Sequence, residues 1–315
     1  MPAFTSSTTT NPVLAATFSE FLNDPGSGYI GSKFYPTFNS QTQNGKYYKW
    51  DEENVLNFPT DLKRAPSSAY GRTSMQLSDD SYNTADEGIE VPVDDSVRAQ
   101  YGDAFNADIA AARRAASIVL YAHEKAVKAE VEANAPTSAA VNWGTDAVAV
   151  IQTDVHTASE AIRLGVGMKP NVCYMTEETW FQLKTNPAVV SQIQYTAALG
   201  VLEQLSSLAS LIGVAKIEIM GGIENSANAG QTVTPGDIWS LDDVYFAIVN
   251  PTQDLEVMNA GRTFVWTGGM GGASDTVVET YREEKIKSDI HRAWHYRGLK
   301  TTAPSAMYRL TSVLS

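Results

Sequence analysis

His291 and His295 stand four residues apart with Asp289 close by, a spacing that on a helix would turn two imidazoles toward one metal ion. The zinc-protease pattern also needs a glutamate in the second position, directly after the first histidine, and Arg292 stands there. On a strand the two rings would share a face about 13 Å apart, too far for one metal. Ile286, Ile290 and Trp294 fit periods of two and of four equally, so periodicity leaves both conformations open. Structural or interface histidines are therefore the default reading.

Other candidate chemistry dissolves on similar grounds. The run Gly268-Gly269-Met270-Gly271-Gly272 lacks the Lys-Ser or Lys-Thr that completes a phosphate loop, and a mobile turn between strands is expected. Gly165-Val166-Gly167 follows a helical pattern instead of joining a strand to a helix, which excludes the dinucleotide fingerprint and predicts a helix C-terminus. The single cysteine, Cys173, excludes an intrachain disulfide, and its apolar setting from Val172 to Met175 predicts a buried, inert thiol. The pairs Asp79-Asp80 and Asp94-Asp95 are expected as solvated loop or capping residues. No Gly-x-Ser-x-Gly elbow, zinc cluster or Asp-rich calcium loop occurs, so no catalytic, cofactor-binding or metal-binding residue is assigned.

With 315 residues, 43% of them hydrophobic, the chain is long enough for a sizeable core in one large or two smaller domains. Its net charge of −13 argues against a basic groove that grips nucleic acid. Met1 to Asn11 is a Ser/Thr tract without the basic and apolar regions of a secretion signal, and no run reaches membrane-spanning length. These features predict a soluble protein made in a reducing cytoplasm.

Five regions follow in order. Residues 1–26 read as a polar arm, with Leu14, Phe18, Phe21 and Leu22 on one face, expected to order by lying on a neighbour. Residues 27–92 read as an extended loop, with Asn44-Gly45 as the turn of a hairpin between Phe38 and Tyr47-Tyr48-Lys49-Trp50. The aromatic residues of this loop are expected to pack on another subunit. Between Val97 and Asn134, Ile109, Ala112, Ala116, Val119, His123, Val127 and Val131 mark a helix of about 30 residues, roughly 45 Å long, capped by Asp94, Asp95 or Ser96. Residues 143–251 alternate helix and strand. A helix over Val155–Leu164 leads to a strand over Asn171–Met175, and short helices are punctuated by Thr176, Pro187 and Gly213. Strands over Lys216–Met220 and Val244–Val249 flank a polar loop, Gly221–Gly236, and strands over Arg262–Trp266 and Tyr308–Val313 complete an α+β pattern.

That order, with Gly45-Lys46-Tyr47-Tyr48-Lys49-Trp50, Arg64-Ala65-Pro66, Lys169-Pro170-Asn171, Trp180 to Leu183, Asn186-Pro187, Tyr281-Arg282-Glu283-Glu284 and Ser288-Asp289-Ile290, resembles the major capsid proteins of tailed bacteriophages. The resemblance runs from about Ser32 to Tyr308 and implies the HK97-like capsid fold, which encapsulin compartments also use. It implies a peripheral domain from residues 93–136 and 259–315, an axial domain from 137–258, and a loop over 27–92 that crosses the adjacent subunit. Lys46, Tyr48, Trp50, Arg64 and Arg72 become inter-subunit contact candidates, and Lys33, Lys49 and Lys63 would join them in meeting acidic neighbours.

The implied function is structural, not enzymatic: pentamers and hexamers of one subunit form an icosahedral head in the virion, assembled in the host cytoplasm and enclosing double-stranded DNA without reading its sequence. A separate scaffolding protein, a portal and head-decoration proteins are the implied partners; no membrane or cofactor is. An encapsulin-like cargo shell is the near alternative. From other classes come an α/β hydrolase or ligand-binding domain over 137–258 and a surface attachment protein, and neither accounts for both the long loop and the long helix.

Overall fold

The computed structural model describes residues 9–10, 28–50, 60, 62–64, 66–73, 77–101, 107–140, 142–144, 148–193, 201–228, 230–273 and 276–314. The expected arm and its apolar face lie outside these residues except for β1 (Thr9–Thr10). A single buried helical turn, α1 (Gly31–Phe34), leads into β2 (Thr37–Ser40), β3 (Asn44–Trp50), β4 (Leu77–Asn83) and β5 (Ala85–Asp94). Two helices follow, α2 (Asp95–Tyr101) and the long α3 (Ala107–Asn134). Next come β6 (Thr137–Ala139), α4 (Val148–Val166), β7 (Val172–Thr176), α5 (Glu177–Thr185), α6 (Pro187–Ile193), α7 (Val201–Ile212) and β8 (Lys216–Met220). A ribbon of β9 (Ile223–Asn225) and β10 (Pro235–Asp237) precedes β11 (Val244–Ala247), β12 (Gly261–Trp266), β13 (Val277–Glu283), β14 (Ser288–Thr301) and β15 (Met307–Thr311).

Two sheets organise these elements. The first runs β1-β13-β14-β12-β2, with β5 also paired to β14; the second runs β6-β15-β11-β7-β8. In the second sheet β7 and β8 are parallel, and β11 is antiparallel to both β7 and β15. Buried Cys173, Met175, Val244, Phe246 and Leu310 fill its core, so the thiol is enclosed and burial pushes its pKa up.

α3 is the spine joining the two sheets. Ala112, Ala115, Ala116 and Val119 pack with Val278 and Ala293 of the first sheet, and small side chains there let helix and sheet approach closely. Val127 and Val131, about two and three turns beyond Val119, belong to the core of the second sheet. At 28 residues the helix spans about 42 Å. The Ser96 N–H donates to Asp94 Oδ1 at 2.7 Å, so Asp94 caps α2, while residues 102–106 lie outside those described.

Several sequence expectations hold at their boundaries. Thr176 Oγ1 accepts from Thr179 N at 3.3 Å and caps α5; Pro187 starts α6, and Gly213 at φ +80° ends α7. α4 begins seven residues earlier than expected and runs through Gly165, where a Cβ would meet Ser305 Cβ at 2.8 Å; Gly167, at φ +75°, is the actual stop. Residues 268–272 form a turn between β12 and β13, with Met270 and Gly272 donating N–H to the Thr267 carbonyl.

Others are overturned. Asn44-Gly45 is not a turn: it opens β3, whose partner is β4, while β2 pairs in parallel with β12. The polar stretch 221–236 contains a two-stranded ribbon. Asp79 and Asp80 are strand residues facing Tyr48 and Tyr47, not loop residues. One reading left open is resolved: the segment around His291 and His295 is a 14-residue strand, the alternative in which the two rings stand too far apart for one metal. Residues 259–315 are expected beside the spine helix, but their strand β15 lies inside the second sheet between β11 and β6, where Met307 and Leu310 are both buried in the core.

Candidate assembly interface: the hairpin and its root

The hairpin of β3 and β4 pairs antiparallel from Asn44–Asn83 to Trp50–Leu77. Strand alternation sorts its side chains onto two faces. Tyr47 turns inward, with its ring 5.4 Å from the fully buried Phe264. Tyr82 stacks on Phe264 at 4.3 Å with the planes 2° apart, and Phe38 meets the same ring edge-on at 5.5 Å. The Tyr82 hydroxyl shares hydrogen bonds with Ser40 Oγ at 2.6 Å and Thr42 Oγ1 at 2.8 Å. Gly45 stands opposite Tyr82, and a Cβ there would come within 2.8 Å of its hydroxyl. Gly45 is thus a glycine for packing, not for turning. These contacts correct the expectation that the loop aromatics await a neighbour: Tyr47 and Tyr82 belong to the subunit's own core.

The contact candidates divide. Tyr48 points outward and is 69% exposed. Further along, Leu62 is 78% and Tyr70 69% exposed, and the Arg64 guanidinium sits 4.8 Å from the Tyr70 ring centre, a cation–π contact. Arg72 is exposed. Trp50 is placed by its backbone opposite Leu77; its side chain and that of Lys49 lie outside the described residues.

Two of the cations have partners within the chain. Lys46 Nζ bonds Asp79 Oδ2 at 2.6 Å, which raises the lysine pKa and lowers that of the aspartate, and Lys33 bonds Glu218 at 3.0 Å. Strand pairing causes the first, because Asp79 stands two residues from Ser81, the cross-strand partner of Lys46, and so shares its face of the hairpin. Lys300 similarly holds Asp80 at 3.1 Å, tying β4 to β14.

At the root of the hairpin, α1 is plugged between the spine and the second sheet. Phe34 stacks on Tyr174 at 4.4 Å, and the Tyr35 hydroxyl lies 2.8 Å from Thr301 Oγ1. The Glu124 carboxylate of α3, 1% exposed, accepts from Ile30 N at 3.1 Å, Gly31 N at 2.6 Å and Trp239 Nε1 at 2.6 Å. Burial raises its pKa, and the three donors oppose that shift. Sequence reading missed this residue, although its spacing from Leu120 and Val127 places it on the buried stripe of α3.

The remaining titratable groups do not converge on a catalytic centre. His291 is held by Asp108 at 3.0 Å and Thr280 at 3.1 Å. Among the described residues no group of three or more His, Cys, Asp or Glu could hold a metal, and no helix is long and apolar enough to cross a membrane.

No family model matches the sequence, and a search of curated proteins matches none. Solved structures do match. A phage-related protein from Bordetella bronchiseptica aligns over 98% of each chain at 21% identity, with a TM-score of 0.69. The capsid of cyanophage P-SCSP1u aligns over 100% of this chain and 91% of its own at 11% identity and a TM-score of 0.59. A virus-like particle from Pyrococcus furiosus aligns over 95% and 96% at 12% identity and 0.55. At these identities the likeness carries architecture alone: the chain has the α+β, HK97-like capsid fold.

Proposed function

We propose that the chain is the major capsid subunit of a tailed-phage head, a structural protein that assembles with copies of itself into an icosahedral shell around packaged double-stranded DNA. The observation that carries this reading is the hairpin: its inner face is bound to the subunit by Phe264, while Tyr48, Leu62, Tyr70, Arg64 and Arg72 stand out from it with no core of their own to fill. A projecting, apolar and cationic element on a chain of net charge −13 suits an acidic surface on another copy. Residues 137–258 together with β15 would form the axial domain, and the spine helix with the first sheet the peripheral one. Scaffolding, portal and decoration proteins would be separate partners, with assembly in the host cytoplasm before the subunit enters the virion. Capsid proteins among the structural neighbours favour the head over a cargo compartment.

Negative-stain electron microscopy with sedimentation velocity tests the reading. Uniform polyhedral shells, or five- and six-membered rings that convert to them, are expected; a persistent monomer or dimer, alone or with its genomic neighbours, would refute it. In the same assay Arg64→Glu combined with Arg72→Glu is expected to abolish shells while leaving the melting temperature of the subunit unchanged. Normal shells from that double variant would remove the hairpin from the interface.

A further inference from the structure

The contact between the spine helix and β14 changes character along its length. At one end it is made of alanines and Val119 against Ala293. One turn beyond Val119 it becomes titratable: His123 of α3, 5% exposed, lies over His295 and Arg297 of β14, which are 2% and 6% exposed. His123 Nε2 and His295 Nδ1 are buried without a hydrogen-bond partner among the described residues. A buried imidazole nitrogen left in this way is costly, and an apolar side chain would have filled the position at no such cost. The groups facing the pair are Arg297 on β14 and Glu87 on β5, whose Oε2 lies 3.5 Å from His295 Nε2 and which is itself 61% exposed. His291, four residues away on the same strand face, is engaged by Asp108.

We infer that this contact is an acid-operated latch, in which protonation of His123 and His295 loosens the spine helix from β14 while the second sheet stays folded. Each added proton would place an imidazolium beside the Arg297 guanidinium in a space from which water is excluded, and Glu87, the carboxylate at His295, is largely exposed. The second sheet contributes no histidine to this contact, and its core of Cys173, Phe246 and Leu310 is apolar. The inference does not depend on the shell reading.

Burial, with Arg297 adding to it, holds His123 well below the ordinary histidine value and His295 at about 3. Both folded-state values lie below the unfolded value of about 6.5, so the latch is closed at neutral pH and weakens as pH falls from about 6.5 toward 3. Each histidine that stays neutral in the fold shifts the opening equilibrium about tenfold per pH unit over that window.

Hydrogen exchange on the full chain between pH 7 and pH 4 tests this, compared as protection factors. Protection in residues 115–127 and 291–299 is expected to fall on acidification before that of β7 and β11. In His123→Gln with His295→Gln the opening is expected at least one pH unit lower. Opening at the wild-type pH in that double variant, or simultaneous loss of protection in both sheets, would overturn the inference. A measurement on the unaltered protein guards against a variant that does not fold: imidazole resonances of His123 and His295 that titrate above pH 6 with the fold intact would overturn it equally.

Discussion

Gly298→Ala is expected to lower the stability of the subunit by about 3 kcal/mol or more, one of the largest effects available to a single methyl group here. Gly298 lies in β14 opposite Phe264, the residue that receives the hairpin aromatics. A Cβ there would stand 2.2 Å from the Asn83 carbonyl oxygen, 3.0 Å from its carbon and 3.4 Å from Thr84 Cα. All three are backbone atoms, so no rotamer change can make room. The backbone they belong to is pinned in turn, because Thr84 N and Oγ1 both donate to the Gln43 carbonyl, at 3.0 and 2.9 Å. Relief would require lifting the β4–β5 junction and the hairpin root off β14. For a chain of 315 residues, at about 2.1 cal/mol/K of unfolding entropy per residue, a loss of about 3 kcal/mol lowers the melting temperature by about 4–5 °C. Gly236→Ala, with nothing within 4 Å of its Cβ, is the matched control and should stay within about 0.5 kcal/mol of wild type. Equal melting of the two variants would show that the hairpin does not cross β14 at the distance described.

The second large effect is expected at Glu124. Replacement by alanine removes the acceptor of Ile30 N–H, Gly31 N–H and the Trp239 indole N–H at once, all in a site closed to water. At about 1–3 kcal/mol for each stranded donor, offset in part by relief of the buried charge, a loss of about 3–6 kcal/mol follows. Glu124→Gln keeps one acceptor oxygen but turns an amide NH2 toward a donor, so it should fall between alanine and wild type. Urea denaturation with both variants reads this directly. A loss under about 1 kcal/mol in the alanine variant would mean that α1 is seated by Phe34 and Tyr35 alone.

Local signals in the sequence carried over into structure where the cause was local. The long apolar stripe of α3, the Thr176 cap, Pro187 and Gly213 each act through neighbours a few residues away, and each was readable in advance. Gly45 shows the limit. Asn-Gly beside aromatic residues marks a turn when the backbone needs positive φ, but the same glycine serves equally where a ring from a distant strand must pass, and Tyr82 supplies that ring. The histidines show it again. Ile290 and Trp294, four apart in this strand and in step with Ile286 just before it, imitate a helix, and the partners that settle the matter, β5, β12 and β13, are scattered over about two hundred residues of chain. Among the contact candidates, charge and aromatic type singled out the hairpin as a region. They could not tell Lys46, which Asp79 neutralises across the hairpin, from the exposed Arg64 and Arg72.

The position of β15 has a consequence for how the chain is made. This strand closes the second sheet, joining β11 on one side to β6 on the other, with Arg309 paired to Thr137. While the nascent chain is still on the ribosome and residue 311 has not emerged, β11 carries an open edge and β6 has no strand beside it. The spine helix and most of the first sheet can form during synthesis, but the second sheet waits for the last strand. Chains interrupted before Met307 would present that open edge to one another. The second sheet is thus closed only once β15 has emerged, and its finished surface appears only on a chain that carries that strand.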